Sequence, residues 1–269
     1  MKQYKRVLAI AGSDSGGGAG IQADIKAISA CGCFATTAIT AITSQNTLGV
    51  TDIHPIPIAS LKSQITAVLS DIGSDSVKIG MLHNAEAIVA VEEVLSKFEI
   101  KNSVLDPVMV ATSGNTLLEN EAIDTLKKVL IPKARIITPN IPEAEILLGE
   151  KINSQEDLPK KAEKLAELYQ VSVLLKAGHL KDDELIDVLY NAETDEIKEF
   201  KSKRIYSKNT HGTGCTLSSA LAAFIAKGYD LNTSVQKAKD YINEAIIAGA
   251  DYTIGKGHGP VHHFYKFWK

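Results

Sequence analysis

Cysteine is scarce in this chain, and the few thiols come in an odd number: Cys31, Cys33 and Cys215. A sparse, odd set excludes a disulfide framework as the basis of the fold. Cys31 and Cys33 have one residue between them, which is neither the redox spacing nor the usual zinc spacing. They read as packing residues at a helix end. Long apolar runs are also missing. No stretch approaches the ~18 residues of a membrane-spanning helix, and the N-terminal run is too short for a signal-peptide core. Neither sign of charge dominates, with a formal net charge of −3. Electrostatics therefore give no reason to expect nucleic acid as a partner. The chain is expected to be cytoplasmic, with no membrane partner. What is there is ordinary: 269 residues, 45% hydrophobic, 23% charged and 6% aromatic. Such a chain can bury a large core without disulfides or metals.

Strand and helix signals alternate. "VLAIAG" (7–12) reads as a strand buried on both faces, ending at Gly12. "SDSGGGAG" is a turn, and "IQADIKAISACG" a helix ending near Gly32. "FATTAITAIT" is rich in β-branched residues and reads as a strand. A helix follows over about 59–72, then strand "SVKIG", helix 85–98, strand "SVLDP", helix 119–130 and strand "RIITPN". "INSQEDLPKKAEKLAELY" reads as a helix with Ser154 as N-cap and Asp157 three residues on, a variant capping box. Strand "VSVLLKAGH" follows. Then come a hairpin turning at Glu193-Thr194-Asp195 and two closing helices, 213–227 and 233–252. The alternation predicts an α/β fold: a mostly parallel, twisted sheet with helices on both faces, in one domain over 1–269. Ligands of such sheets bind beyond the carboxyl ends of the strands. "GSDSGGGAG", "SQN", "GM", "DPV", "TPN" and "KAGH" all fall at such ends.

Each motif has two readings. The glycine-rich turn is not a Walker loop, and it fits the dinucleotide fingerprint only in part. It suits either close backbone approach to a small ligand, with Asp24 one helical turn in, or a plain flexible turn. Asn140 and Glu143 stand three apart at a helix start. They could arrange water and magnesium for phosphate chemistry, or simply cap a proline-led helix. Asp106 at a strand end could serve as a magnesium ligand or a base, or form a turn. Lys176 could reach a phosphate or lie solvated. His262 and His263 are adjacent, lack a third ligand at suitable spacing, and read as tail residues.

"NTHGTGCTLSSALAAFIAKG" (209–228) holds the most pointed pattern. His211-Gly212-Thr213-Gly214 makes a tight turn into a run with apolar residues at three- and four-residue spacing. Cys215 stands at the helix entrance, where free N–H groups and the helix dipole favour an anion and should lower a thiol's pKa. The stretch reads as a phosphate site, an activated thiol or both. It also fits a tight loop before a core helix, with Cys215 as a small buried residue.

Taken in order, "AGSDSGGGAGIQAD", "TAITSQNT", "KIGM", "DPVMVATSG", "TPNIPEAE", "KAGH" and "HGTGCTLSSA" resemble the hydroxymethylpyrimidine and phosphomethylpyrimidine kinases of thiamine biosynthesis, within the ribokinase-like superfamily. The resemblance covers almost the whole chain. It implies phosphorylation of 4-amino-5-hydroxymethyl-2-methylpyrimidine by MgATP, and then of its monophosphate to the diphosphate. It implies Cys215 as the base, where the superfamily usually carries Asp. Backbone N–H groups of Gly212, Thr213, Gly214 and Cys215 would form an anion hole. Gly12, Asp24, Gln45, Met81 and Val108 would contact the pyrimidine. Asn140 and Lys176 would face ATP and its phosphates, Asp106 and Glu143 would attend magnesium, and the chain would form a homodimer. Three departures stand out. Ser15-Gly16 replace a frequent Pro-Ser, Ala177 replaces a usual glycine, and Thr112 replaces a frequent lysine. The last weakens the case for the second phosphorylation.

Three rival readings share these residues. A pyridoxal or pyridoxine kinase would keep the fold and MgATP; Gln45 within "SQN" and Thr213 within "HGTGC" favour the aminopyrimidine. A non-catalytic sensor of pyrimidine phosphates would need none of Asn140, Glu143 and Cys215. A thiol hydrolase would use Cys215 as covalent nucleophile, but no cysteine-hydrolase signature surrounds it.

Overall fold

The computed structural model describes residues 2–109, 120–180 and 182–268. β1 (Arg6–Asp14) is the first apolar run, extended past Gly12 to Asp14. α1 (Gly20–Ala30) follows, and then β2 (Phe34–Asn46). β3 (Gly49–Pro55) was not foreseen. It is a mostly exposed edge strand antiparallel to β2, and its mixed composition carries no clear period-two pattern. α2 (Ile58–Ala67) runs into a wider turn at Val68–Ile72. β4 (Ser76–Ile79), α3 (Ala85–Lys97) and β5 (Ser103–Leu105) come next. After them come α4 (Asn120–Thr125), β6 (Ile136–Ile137), α5 (Ile141–Leu148) and α6 (Leu158–Tyr169). β7 (Ser172–Leu175), the hairpin β8 (Glu184–Asn191) and β9 (Glu196–Lys203), then α7 (Thr213–Ala226) and α8 (Leu231–Gly249) end the described elements.

Among the described residues, the strands form one nine-stranded sheet in the order β3-β2-β1-β4-β5-β6-β7-β8-β9. β2, β1, β4, β5, β6 and β7 pair in parallel, while β3, β8 and β9 pair antiparallel at the two edges. Strand order reverses between β1 and β4. Their carboxyl ends therefore diverge into a crevice, the usual ligand position in an open α/β sheet.

The sheet alternates its side chains between two cores. Leu8 and Ile10 of β1 face the layer of α2, α3, α4, α5 and α6. Val7 and Ala9 face the layer of α1, α7 and α8. Fully burying a Leu or Ile contributes about 1.5–3 kcal/mol, so this two-sided burial is the main stabilising term. Cys31 and Cys33 are buried in the second core, as their position at the end of α1 suggested. His263 is more than a tail residue. It is buried, with Nε2 3.0 Å from the Thr216 hydroxyl. Burial pushes it down to about 3, helped by Lys26 and His262, so it packs as a neutral ring.

The capping box lies elsewhere than expected. Ser154 makes no side-chain cap bond, and the Asp157 carboxylate instead accepts the Asn153 N–H at 3.2 Å. The reciprocal box belongs to α5. Asn140 Oδ1 accepts the Glu143 N–H at 3.0 Å, and the Asn140 N–H donates to Glu143 Oε2 at 2.8 Å. A short 3-10 turn, Gln155–Asp157, stands between Ser154 and α6, so the α-helix itself begins at Leu158, with Asp157 as its N-cap and Pro159 in its first turn.

Candidate active site

The carboxyl ends of the parallel strands open onto a cavity of about 860 Å³. Of the residues expected at a site, Gly12, Gln45, Met81, Val108, Asp106, Asn140, Glu143, Lys176 and the whole turn Gly212–Cys215 line it. A Cβ at Gly12 would come to 2.6 Å from the Met81 methyl group, so a larger residue at the β1 exit would displace the Met81 side chain. Thr112 lies outside the described residues.

Asp24 does not line the cavity. Its side chain is fully buried between α1, α7 and β4. Lys78 Nζ donates to its two oxygens at 2.8 and 2.9 Å, and the Ser219 hydroxyl donates at 2.7 Å. Its inward direction follows from its place among the buried positions Ile21, Ala23, Ala27 and Ile28 of α1. The substrate contact expected of Asp24 is thus replaced by an ion pair with Lys78, which itself lines the cavity. Lys78 was missed altogether. The available signal was a lone lysine in the four-residue strand "SVKI", which is buried at every position. Burial alone would lower its ammonium, but Asp24, Cys215 and Asp106 hold it above the ordinary lysine range.

Cys215 occupies the first turn of α7, and no side chain caps that end. Gly212 adopts φ 76°, and a Cβ there would overlap the Gly18 carbonyl oxygen. Glycine is therefore required both by conformation and by contact. The Thr213 N–H already donates to the Thr210 carbonyl at 3.2 Å, so it is the least available of the expected anion donors. The thiol does not behave as its helix position suggested. Burial pushes Cys215 up to about 11. Lys78 and the Gly20 N–H draw it down, and Asp24 and Asp106 push it further up. Desolvation outweighs Lys78 and the Gly20 N–H, so the ligand-free site holds a thiol rather than a thiolate at neutral pH.

Asp106 follows β5, is buried, and receives the Thr138 hydroxyl at 2.9 Å and Lys176 Nζ at 3.0 Å. Burial would raise it, but Lys176 and Lys78 hold it below the usual carboxylate range. Glu143 goes the other way. Burial pushes it up to about 7; Lys176 pulls down, Asp106 pushes up, and the N–H groups of Asn140 and Met109 pull down. One ionised and one readily protonated carboxylate therefore share the wall with a lysine. Among the described residues, no cluster of three His, Cys, Asp or Glu could by itself cage a metal.

Gln45, at the end of β2, sets its amide oxygen 3.2 Å from the Thr43 hydroxyl and its amide nitrogen 3.3 Å from His211 Nε2. Asp14 and His211, 3.0 Å apart, complete this end of the cavity. Asp14 was legible only as one letter of a glycine-rich turn. At the opposite end, Lys239 of α8 donates to Asp187 at 2.6 Å, while Asp187 also accepts the Ala177 N–H at 2.7 Å. Ile242 and Ile246 add an apolar wall there. Arg204 closes the rim, donating to the Asp182 carbonyl at 2.8 Å and also to the Leu180 carbonyl.

The cavity therefore carries an amide at the β2 end, charged groups and a helix N-terminus in the middle, and a partly apolar wall from α8 at the far end. Comparison with known proteins places it in a family. The model of a family described as phosphomethylpyrimidine kinase matches residues 14–262. A hydroxymethylpyrimidine/phosphomethylpyrimidine kinase of Rhizobium meliloti is 46% identical, over 97% of this chain and 98% of that protein. A bifunctional thiamine biosynthesis protein of Geobacter sulfurreducens is 47% identical over 96% of this chain, which spans about half, 52%, of that longer relative. A crystal structure of phosphomethylpyrimidine kinase from Clostridium difficile has TM-score 0.80 and 44% identity, over 90% of this chain and 99% of that one. An ADP complex of Bacillus subtilis pyridoxal kinase has TM-score 0.88 and 34% identity, over 97% and 98% of the two chains. The pyridoxal kinase is thus close in fold and more distant in sequence, and with the family model and the relatives agreeing along nearly the full length, this chain belongs to the phosphomethylpyrimidine kinase family and is a phosphotransferase.

Proposed function

We propose that this chain phosphorylates 4-amino-5-hydroxymethyl-2-methylpyrimidine with MgATP and then phosphorylates the monophosphate to the diphosphate, supplying thiamine biosynthesis. The observation that carries the reading is that Cys215, the turn before it and Gln45 share one cavity with Lys176. The Gln45 amide offers a donor and an acceptor, the complement of an aminopyrimidine edge. Met81 and Val108 cover the apolar ring face. The acceptor hydroxymethyl oxygen then points at the first turn of α7. There the backbone N–H groups of Gly212, Gly214 and Cys215 stabilise the charge of the transferring phosphoryl group, and Cys215 takes the acceptor proton in its thiolate form, which Lys78 favours against burial. Lys176 places a positive charge beside the same position.

Nucleotide belongs at the other end, its phosphates toward Lys176 and Asn140 and its base against Ile242 and Ile246 of α8. Magnesium fits the donor set. Asp106 and Glu143 are hard oxygen donors on one wall, and two carboxylates with water and substrate phosphates are the usual magnesium arrangement. The Glu143 carboxyl already receives the backbone N–H groups of Asn140 and Met109, which suits contact through water better than direct ligation. The ion would neutralise charge on the phosphates. A homodimer working in the cytoplasm completes the proposal, and sedimentation of the purified chain tests its size.

A coupled ADP-release assay with MgATP decides the activity, run on hydroxymethylpyrimidine, its monophosphate and pyridoxal in parallel. Turnover on both pyrimidines is the expected result. Turnover on pyridoxal alone would refute the aminopyrimidine assignment of Gln45.

A further inference from the structure

Two loops distant in sequence are locked together at the Gln45 end of the cavity by one histidine. Asp14 ends β1 and is 2% exposed. Its Oδ1 accepts the Gly16 N–H at 2.8 Å. Its Oδ2 accepts the N–H groups of Gly18 at 3.0 Å and Ala19 at 2.7 Å, and faces His211 Nε2 at 3.0 Å. One carboxylate thus shapes the glycine turn and reaches the residue just before the anion-binding turn. Backbone contacts reinforce the lock. A Cβ at Gly18 would strike the His211 ring, and one at Gly212 would overlap the Gly18 carbonyl.

Proton counting fixes the direction of the His211 contact. Burial would raise Asp14, but His211 and the N–H groups of Ala19 and Gly16 outweigh it and hold the carboxyl below its usual range. An ionised carboxylate only accepts. His211 Nε2 therefore carries the proton and donates to Asp14; the partner assigns the tautomer. The Gln45 amide nitrogen, 3.3 Å from the same Nε2, meets a donor rather than an acceptor.

We propose that His211 is a positioning residue for phosphoryl transfer: its bond to Asp14 keeps the Gln45 wall in register with the turn Gly212–Cys215. The inference rests on the kinase reading above. His211 need not touch substrate. It sets the spacing between an acceptor held from the Gln45 side and the N–H groups that meet the phosphoryl group. A shift of about 1 Å in such spacing can cost about 100-fold in rate.

The test compares the unaltered chain with His211→Phe, which keeps a ring without a donor, and His211→Gln, which restores an N–H. Asp14→Asn, alone and combined with His211→Phe, completes a cycle. kcat and the KM values for hydroxymethylpyrimidine and ATP are measured, with thermal unfolding as the check on folding. His211→Phe is expected to lose roughly 30- to 100-fold in kcat, with the ATP KM within about threefold. His211→Gln is expected to regain about tenfold, and the double variant to be no slower than the slower single. A His211→Phe rate within about threefold of the unaltered chain, or no rescue by His211→Gln, overturns the proposal. If His211→Phe does not fold, His211→Gln combined with Asp14→Asn decides. Losses that multiply refute a shared role, and losses that do not multiply support it. An unaltered chain inactive on both pyrimidines would instead bring down the kinase reading, and this inference with it.

Discussion

Lys78 grips Asp24 through both carboxylate oxygens, at 2.8 and 2.9 Å, and neither side chain is exposed to solvent. Ser219 joins them from α7, one helical turn below Cys215. Removing one charge would leave the other buried without its counter-charge. Lys78→Met is therefore expected to destabilise the fold by about 3–5 kcal/mol. Asp24→Asn should cost less, because an amide still accepts a hydrogen bond from Lys78. Denaturant unfolding of both variants measures this, and a Lys78→Met chain as stable as the original would show the pair to be energetically idle.

Cys215→Ala is expected to bind pyrimidine almost normally and to lose about 100-fold or more in turnover, the usual loss with a general base. Titration calorimetry beside the ADP-release assay separates the two effects. Undiminished turnover would remove Cys215 from proton transfer.

The raised thiol has a consequence that needs no substrate. With Cys215 pushed up to about 11, the thiolate fraction at pH 7.5 is small and rises about tenfold per pH unit. Cys31 is pushed up to about 12 by burial and is closed to reagents. Iodoacetamide should therefore label the folded chain slowly at pH 7.5, and label Cys215 faster as pH rises toward 9. Rapid labelling of Cys215 at pH 7 would mean that the helix dipole and Lys78 win over desolvation.

Gln45→Ala is expected to raise the KM for pyrimidine roughly 3- to 10-fold, the weight of about one hydrogen bond, and to leave the ATP KM nearly unchanged. Equal increases in both would make Gln45 a structural residue.

Glu143 links stability to pH. Its folded value near 7 lies above the ordinary 4.5, so the folded chain keeps a proton that the unfolded chain releases. Between about pH 4.5 and 7, unfolding then releases protons, and stability falls as pH rises. Above pH 7 the cost is complete. Glu143→Gln keeps the capping geometry of α5 and removes the charge. Its melting temperature relative to the unaltered chain should be more favourable at pH 8 than at pH 5, by up to about 3 kcal/mol in stability. A difference independent of pH would show that Glu143 is ionised throughout.

Much of this was readable from residue order. The run 7–12 became a central strand because apolar side chains fill both of its faces, and 34–43 became its neighbour with one face buried. "TPN", "KAGH" and "HGTGC" met in one cleft because parallel connectivity sends every strand's carboxyl end to the same edge. The exposed edge strand β3 was unreadable, since its pairing with β2 depends on backbone hydrogen bonds rather than on a buried face.

Residue order settles what is local and periodic: the strand and helix alternation, the glycine turns, the helix entrance at Cys215 and the motif order that marks the family. The electrostatic state of the site comes from the fold. Asp24 turned from the cavity to Lys78, Cys215 rose instead of falling, Glu143 rose while Asp106 fell, and His211 found Asp14 across 197 positions of chain. Each outcome depends on which charges lie within a few ångströms and how much water is excluded around them. Neither quantity is a function of spacing along the chain.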